Sequence, residues 1–453
     1  MTKKIQLNAR SNQRSRRDFI RTSSLLAAAG AVGTSLTITR SAHAFGSDEI
    51  KIGLVGCGSR GTGAVAQAIN TTHKDDISPN GSVKLTAMAD VFDNRMQTSI
   101  RTIHGREPNQ IDVPKERQYI GFDAYKRVLE SDIDLVILAT PPGFRPLHFE
   151  AAVQAGKHVF MEKPVATDAP GVRRVLAANE VALKNNLAVA VGLQRHHEPR
   201  YLETFRRIWD GAIGDILYTR VYWNSAGVWI RAREEGQTEL EYQMRNWYYF
   251  NWLCGDHITE QHIHNLDVSN WLLDSYPTEC NGMGGREVRN GQDHGQIFDH
   301  HFCEYTYASG VKMFSQCRHI PGTWNNVSEH AHGTEGYADL SGAKIYDSKG
   351  DLVWKYGQGG GNGHQVEHYD LFAALRKGEL PNEAEYGAKS TMTSILGRLA
   401  TYSGKVVKWE DAINSRVPLA DFDSLATMEG DPPIRPNSDG RYPIPVPGKT
   451  KVL

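Results

Sequence analysis

The run Lys51-Ile52-Gly53-Leu54-Val55-Gly56-Cys57-Gly58-Ser59-Arg60-Gly61 joins an apolar segment, Ile50 to Val55, directly to Gly-x-Gly-x-x-Gly, and a helix-compatible segment, Thr62 to Asn70, follows. The order is strand, tight turn, helix. In such a unit Gly56 makes the turn, Gly58 lets backbone N–H groups close on a diphosphate, and Gly61 lets helix and strand pack closely. Gly56, Gly58, Ser59, Arg60 and Gly61 are therefore the expected cradle of a dinucleotide. A second apolar run, Val83 to Ala89, stops at Asp90. A carboxylate at that strand end binds the adenosine ribose hydroxyls and repels a 2′-phosphate, so NAD is favoured over NADP. Asp90 lies farther along than the usual spacing of about 20 residues. The polar stretch Thr71 to Ser82, with Pro79-Asn80-Gly81, accounts for the delay as a loop insertion. A plain strand-end turn is the competing account of Asp90.

At 453 residues the chain is too long for one ordinary core, so more than one domain is expected. Lys+Arg total 51 against 52 Asp+Glu, and this balance argues against a nucleic-acid partner. The five cysteines, Cys57, Cys254, Cys280, Cys303 and Cys317, include no CxxC pair, so they read as small buried residues.

Ser15-Arg16-Arg17-Asp18-Phe19-Ile20-Arg21 is a twin-arginine signature, followed by a mildly apolar segment from Leu25 to Ile38 and by Ala42-His43-Ala44. Residues 1–44 read as an export signal with an A-x-A cleavage site, which predicts a periplasmic or otherwise exported protein. No later segment approaches the roughly 20 apolar residues of a spanning helix, so no membrane partner is expected once the signal is removed.

After the insertion come helical patterns over Asn94 to Ile103 and Phe122 to Glu130, then the apolar run Leu135 to Ala139, which ends in Thr140-Pro141-Pro142. A helix over Arg145 to Ala155, a strand over His158 to Met161, Glu162-Lys163-Pro164, a helix over Ala169 to Asn185 and a strand over Leu187 to Leu193 follow. Strands alternating with helices at this pitch predict a doubly wound parallel sheet whose ligands sit at the carboxyl ends of the strands. Thr140, Pro141, Glu162, Lys163, Gln194 and Arg195 lie at such ends.

The glycine turn, the Ala-Thr-Pro-Pro turn, His148 on the next helix, Glu162-Lys163-Pro164 and the strand ending at Gln194 together resemble the glucose-fructose oxidoreductase and inositol dehydrogenase (Gfo/Idh/MocA) family. The resemblance adds Pro142 and His148 to the cofactor residues and implies that Lys163 sits beside the nicotinamide and the reacting hydroxyl. It also implies a homo-oligomer.

From Gly211 onward the segments Ile216 to Trp223, Phe298 to Tyr307 and Val311 to Cys317, with the turn Ala308-Ser309-Gly310, predict a mainly antiparallel sheet in a second, α+β domain. The expected organisation is residues 45–194 for the dinucleotide domain, 195–410 for the substrate domain and 411–453 for a proline-rich tail. Within the second domain, Gly255 to Asp267 read as one helix puts Asp256, Glu260 and His264 on one face. A hydride transfer from a carbinol needs a group to take the hydroxyl proton, and histidine suits it. Family members carry Asp-x-x-x-His here, which implies His264 as acid/base, with Glu260, in place of Asp, as its partner and Lys163 as the electrostatic brace. Arg195, Trp247, Asp256 and His264 are the expected substrate contacts. For the aromatic cluster Trp247-Tyr248-Tyr249-Phe250-Trp252, both a sugar-stacking platform and core packing are open.

Asp256, His257, Glu260 and His264 are also possible metal ligands, but hydride transfer to NAD needs no metal and none is expected. His364-Gln365-Val366-Glu367-His368 matches H-x-x-E-H without the context of a zinc protease. The adjacent His300 and His301 point to opposite faces of a strand, so at most one faces a pocket.

Three functions compete. The first is an NAD(P)-dependent oxidoreductase acting on CH–OH groups of a small carbohydrate, cyclitol or derivative. The second resembles the NAD-dependent α-N-acetylgalactosaminidases, which oxidise transiently and eliminate a glycoside; the third is a non-catalytic sugar-binding module. Export removes any free NAD pool, so the cofactor is expected to be tightly held and regenerated within each cycle.

Overall fold

The computed structural model describes residues 49–74, 81–359 and 361–453. The export signal expected over residues 1–44, and residues 75–80 of the expected insertion, lie outside the described residues. The first sheet comprises β1 (Ile50–Val55), β2 (Val83–Asp90), β3 (Gln118–Ile120), β4 (Leu135–Leu138), β5 (His158–Met161) and β6 (Val189–Val191). Its order is β3-β2-β1-β4-β5-β6 and every pair is parallel. The chain winds outward from β1 in one direction through β3 and then resumes on the other side at β4. The crevice between the ends of β1 and β4 is thus the topological switch point at which such sheets bind ligands.

These strands are apolar along their length because helices cover the sheet on both faces. Ile50, Ile52 and Leu54 pack in one cluster with Phe160 and with Leu371, Phe372 and Leu375 of the helix Gly363–Arg376. That helix falls in the sequence interval assigned to the second domain, yet it buries its apolar stripe against the first sheet. The H-x-x-E-H motif opens it.

The second sheet runs β14-β13-β12-β11-β7-β10-β9-β8-β15. Its strands are β7 (Ile216–Ser225), β8 (Pro277–Gly285), β9 (His300–Tyr307), β10 (Lys312–His319), β11 (Asn326–Gly333), β12 (Gly336–Asp339), β13 (Lys344–Asp347), β14 (Leu352–Lys355) and β15 (Val407–Lys408). All pairings are antiparallel except β7 with β10. In β9 and β10 every second residue is buried, so one face of the sheet packs inward. Accordingly His301 is buried and His300 is not. The 20-residue helix Ala384–Ser403 is buried over almost its whole length, with Met392, Ile395 and Leu396 sharing an apolar cluster with Val172 of the first layer and Tyr305 of β9. All five cysteines are buried and unpaired. No helix among the described residues is long and apolar enough to cross a membrane.

Candidate active site

The chain turns after β1 at Gly56, whose φ of +98° suits glycine. At Gly61 a Cβ would overlap the carbonyl oxygen of Gly56, so only glycine lets the helix Ser59–Asn70 lie this close to β1. Around Gly58 a Cβ would meet nothing within 4 Å, because the backbone there faces open space. The helix begins at Ser59 rather than at the expected Thr62, with extended Gly58 as its N-cap. The first-turn N–H groups therefore start inside the glycine motif, where no preceding turn supplies acceptors.

Asp90 closes this turn from β2. Its Oδ2 accepts from the Cys57 amide at 2.6 Å and its Oδ1 from the Phe92 amide at 2.8 Å. Burial pushes its carboxyl pKa up, and the same amides oppose the rise. At the end of β4, the buried Arg145 donates to the carbonyls of Leu138 and Thr140, the latter at 2.7 Å. Burial lowers the Arg145 pKa to about 10, with Glu162 and Glu260 opposing. Arg145 braces the Thr140-Pro141-Pro142 turn, and nothing in its local sequence marks it for that role. His148 stands on the same helix with Nδ1 3.3 Å from Thr140 Oγ1; burial, then Arg145, holds it at about 3, so it is neutral.

Glu162 at the end of β5 lies 2.9 Å from Arg60 Nε, tying that strand end to the helix that follows the glycine turn. Next to it, Lys163 reaches across to the second domain: its Nζ donates to the backbone carbonyl of Glu260 at 2.6 Å and lies 3.4 Å from the Glu260 Oε1. The single helix expected over Gly255 to Asp267 is broken into His257–Glu260 and Ile263–Leu273. In an unbroken helix the His264 N–H would take the Glu260 carbonyl. Here it bonds Gln261 O at 3.3 Å, and the freed carbonyl goes to Lys163.

The break corrects the expected Glu260–His264 pair, since the carboxylate belongs to Lys163. His264 is 6% exposed, stacks on Trp223 with ring centroids 6.0 Å apart and leaves Nδ1 without a hydrogen-bond partner. Burial, followed by the Lys163 and Arg195 charges, holds its pKa well below the usual imidazole range. It is neutral at pH 7. Its helix is pinned on both sides: Asn265 bonds Glu329, and Asp267 pairs with His196 at 2.8 Å and Ser390 at 2.7 Å.

A cavity of about 360 Å³ opens along the switch point. Of the expected cofactor residues, Gly56, Gly58, Ser59, Arg60, Asp90, Thr140, Pro141 and His148 line it, whereas Gly61, Pro142, Glu162, Lys163 and Gln194 lie outside its lining. The opposite wall comes from the segment between β7 and the broken helix, through Trp229, Arg231, Met244, Arg245 and Trp247. Of these five only Trp247 is among the expected site residues, because no local motif marks the other four. The open backbone at Gly58, the helix start and the Asp90 carboxylate fit a dinucleotide.

Of the expected substrate contacts, Arg195 and Asp256 sit elsewhere and Trp247 lines this cavity. Arg195 is buried in an ion pair with Glu329, which also accepts from Tyr201 at 2.9 Å. Trp247 faces the dinucleotide cavity, while Tyr248, Tyr249, Phe250 and Trp252 form an apolar cluster, so core packing is the better account of those four. Asp256 is fully buried at φ +72° and accepts from the His257 and Phe298 amides and the Tyr402 hydroxyl. Its Oδ1 also lies 2.8 Å from His257 Nδ1 and 3.3 Å from His301 Nε2. Although burial opposes it, these imidazoles hold the Asp256 carboxyl well below the usual range. Asp256, His257 and His301 bring possible ligand atoms within 4.8 Å of one another, but Asp256 already accepts from two amides, the Tyr402 hydroxyl and His257 Nδ1 and serves as a buried anchor.

Residues 50–192 match the Gfo/Idh/MocA family model, an oxidoreductase family with an NAD-binding Rossmann fold. Over 228 residues the chain is 26% identical to the inositol 2-dehydrogenase of Rhizobium meliloti, covering 50% of this chain and 56% of that protein. It spans about half the length of the curated relatives it matches. The fold is similar to that of aldose-aldose oxidoreductase from Caulobacter crescentus complexed with glycerol, with TM-score 0.60 and 17% identity over 80% of this chain and 99% of that one. It is also similar to myo-inositol dehydrogenase from Lactobacillus casei in complex with NAD(H) and myo-inositol, with TM-score 0.58 and 17% identity over 79% and 96% of the two chains.

Proposed function

We propose that this protein, whose residues 50–192 match the dinucleotide domain of the Gfo/Idh/MocA oxidoreductases, transfers a hydride between a tightly held NAD and a CH–OH group of a sugar, cyclitol or derivative. The observation that carries the proposal is the bond from Lys163 to the Glu260 carbonyl, which brings the end of β5 to the segment bearing His264. The inositol 2-dehydrogenases among its relatives support the substrate class. A bound nicotinamide supplies the hydride acceptor. Neutral His264 takes the hydroxyl proton as the carbinol C–H bond breaks. Lys163 has three donor hydrogens, and Glu260 engages it with one carbonyl and one carboxylate oxygen, which leaves a donor for the substrate oxygen. The Asp90 carboxylate favours NAD over NADP.

The test is to incubate the purified protein with inositols, aldoses and nitrophenyl glycosides, following NADH and nitrophenol. His264→Ala is expected to retain NADH binding and to lose turnover by about 10²–10⁴-fold. Full activity in that variant removes the assignment, and nitrophenol release without net NADH replaces the dehydrogenase with a glycosidase. The Arg16-Arg17 signature supports export by the twin-arginine route; Arg16→Lys with Arg17→Lys is expected to keep the protein in the cytoplasm, and unchanged export would exclude that route.

A further inference from the structure

We propose that the segment 226–250 is a cofactor clamp, in which Arg231 binds the diphosphate of the dinucleotide from the side opposite the glycine turn and Arg245 closes the adenosine end. This rests on the dinucleotide reading given above. Four arginines, Arg60, Arg95, Arg231 and Arg245, line the cavity together with a single carboxylate, Asp90. Arg60 is paired with Glu162 and Arg245 lies 3.3 Å from Glu241. Among the described residues Arg231 has no carboxylate partner; its guanidinium lies over the Trp229 ring, 5.5 Å from the centroid. An exposed guanidinium facing a cleft whose other wall is a helix N-terminus completes a two-sided anion site. Arg245 lies over the Phe92 ring at 4.8 Å, just beyond Asp90, and so spans the two walls where the adenosine is expected.

The clamp is held firmly on its outer side. The Arg231 amide donates to Asn246 Oδ1 at 2.9 Å, and Asn246 Nδ2 donates to the Asp293 carbonyl at 2.7 Å. Thr238 caps the helix Glu239–Arg245, and Gln243 of that helix donates to the carbonyl of Ile434 at 2.7 Å. Tyr442 packs edge-on against Phe250 at 4.9 Å. The proline-rich tail thus buttresses the clamp.

The experiment uses the full chain, with NADH as the probe. Its affinity and its release on a chase with excess NAD are followed by nucleotide fluorescence in the wild type, Arg231→Ala and Arg245→Ala. Loss of a charge-assisted contact is expected to weaken NADH binding by about 10–100-fold in Arg231→Ala and to speed release, with a smaller salt dependence than in the wild type. Because Arg231 is exposed, its variant is expected to keep the thermal midpoint of the nucleotide-free protein. Wild-type affinity and release in both variants would overturn the clamp while leaving the dinucleotide site standing. A wild-type protein that binds neither NADH nor NADPH would overturn both.

Discussion

Lys163 Nζ donates to the backbone carbonyl of Glu260 at 2.6 Å, a bond between residues 97 apart in the chain that joins the fifth strand of the parallel sheet to the broken helix of the second domain. The bond exists because the helix stops at Glu260 and leaves that carbonyl without its usual N–H. A main-chain acceptor survives side-chain substitution. Glu260 therefore anchors Lys163 chiefly through an atom that mutation of its carboxylate does not remove.

Glu260→Gln is accordingly expected to lower kcat by less than about tenfold, whereas Lys163→Met is expected to lower it by about 10²–10³-fold, as for loss of an oxyanion donor. Steady-state rates, with NADH titration confirming intact binding, check the pair. Equal losses in the two variants would return Glu260 to a catalytic role.

Asp90→Ser keeps a short polar group near the Cys57 and Phe92 amides and removes the charge that opposes a 2′-phosphate. The ratio of kcat/KM for NADP over NAD is expected to rise by about tenfold or more. An unchanged ratio would mean that the carboxylate only holds the turn.

Asp256 takes up a backbone conformation that residues other than glycine rarely adopt, and its carboxylate holds the surrounding amides and imidazoles in place. Asp256→Asn replaces a carboxylate that accepts from two amides and a hydroxyl with a side chain that turns an NH2 towards one of those donors, and is expected to cost about 1–3 kcal/mol. The denaturation midpoint in urea reports this; a midpoint equal to wild type would show that the buried charge is dispensable.

Burial, as the leading cause, lowers His148 and His368 to about 3 and His158, His257 and His364 to about 4. The unfolded chain binds protons at these sites near pH 6.5 while the folded chain does not, so stability is lost as pH falls below about 6.5. His197 has the opposite sign. Asp370 and Glu383 overcome its burial and raise it to about 10, so its contribution is complete below about 6.5 and fades towards 10. The five lowered imidazoles outweigh it. Thermal midpoints are expected to drop steeply below about pH 6.5 and to decline more gently above it, where His197 gives up its contribution. A level profile down to pH 4.5 would contradict their burial as neutral groups.

Glu367, in the H-x-x-E-H motif, is 1% exposed with no hydrogen bond to either carboxylate oxygen, the imidazoles of His364 and His368 lying 3.5 and 3.8 Å away. Burial and the nearby Glu162 push its pKa well up, so the folded form keeps a proton that the unfolded form releases and stability falls as pH rises. Glu367→Gln is expected to stabilise the protein at pH 8 by about 1–3 kcal/mol. A lower midpoint would mean that the ionised carboxylate is needed.

The glycine turn, the buried parallel strands and the placement of Lys163 at a strand end were legible from the residues alone. Each is dictated by properties confined to a few neighbours: the free φ of Gly56, the absent Cβ of Gly61, and apolar runs that satisfy a strand covered on both faces. The face of the segment Gly255 to Asp267 was not legible. Its helical spacing is genuine, but the anchoring of Asp256 by Phe298 and Tyr402, from distant parts of the chain, sets its start, and the helix is broken before His264. Arg195 and Asp256 look like open site residues in one dimension and are buried anchors in three, because their partners Glu329 and His301 lie 134 and 45 positions away. The second wall of the cavity likewise comes from packing alone. Local covalent chemistry determined where a dinucleotide docks on the first sheet; which groups close over it, and which oxygen of Glu260 meets Lys163, depended on long-range contacts that compete with local hydrogen bonding and here prevail.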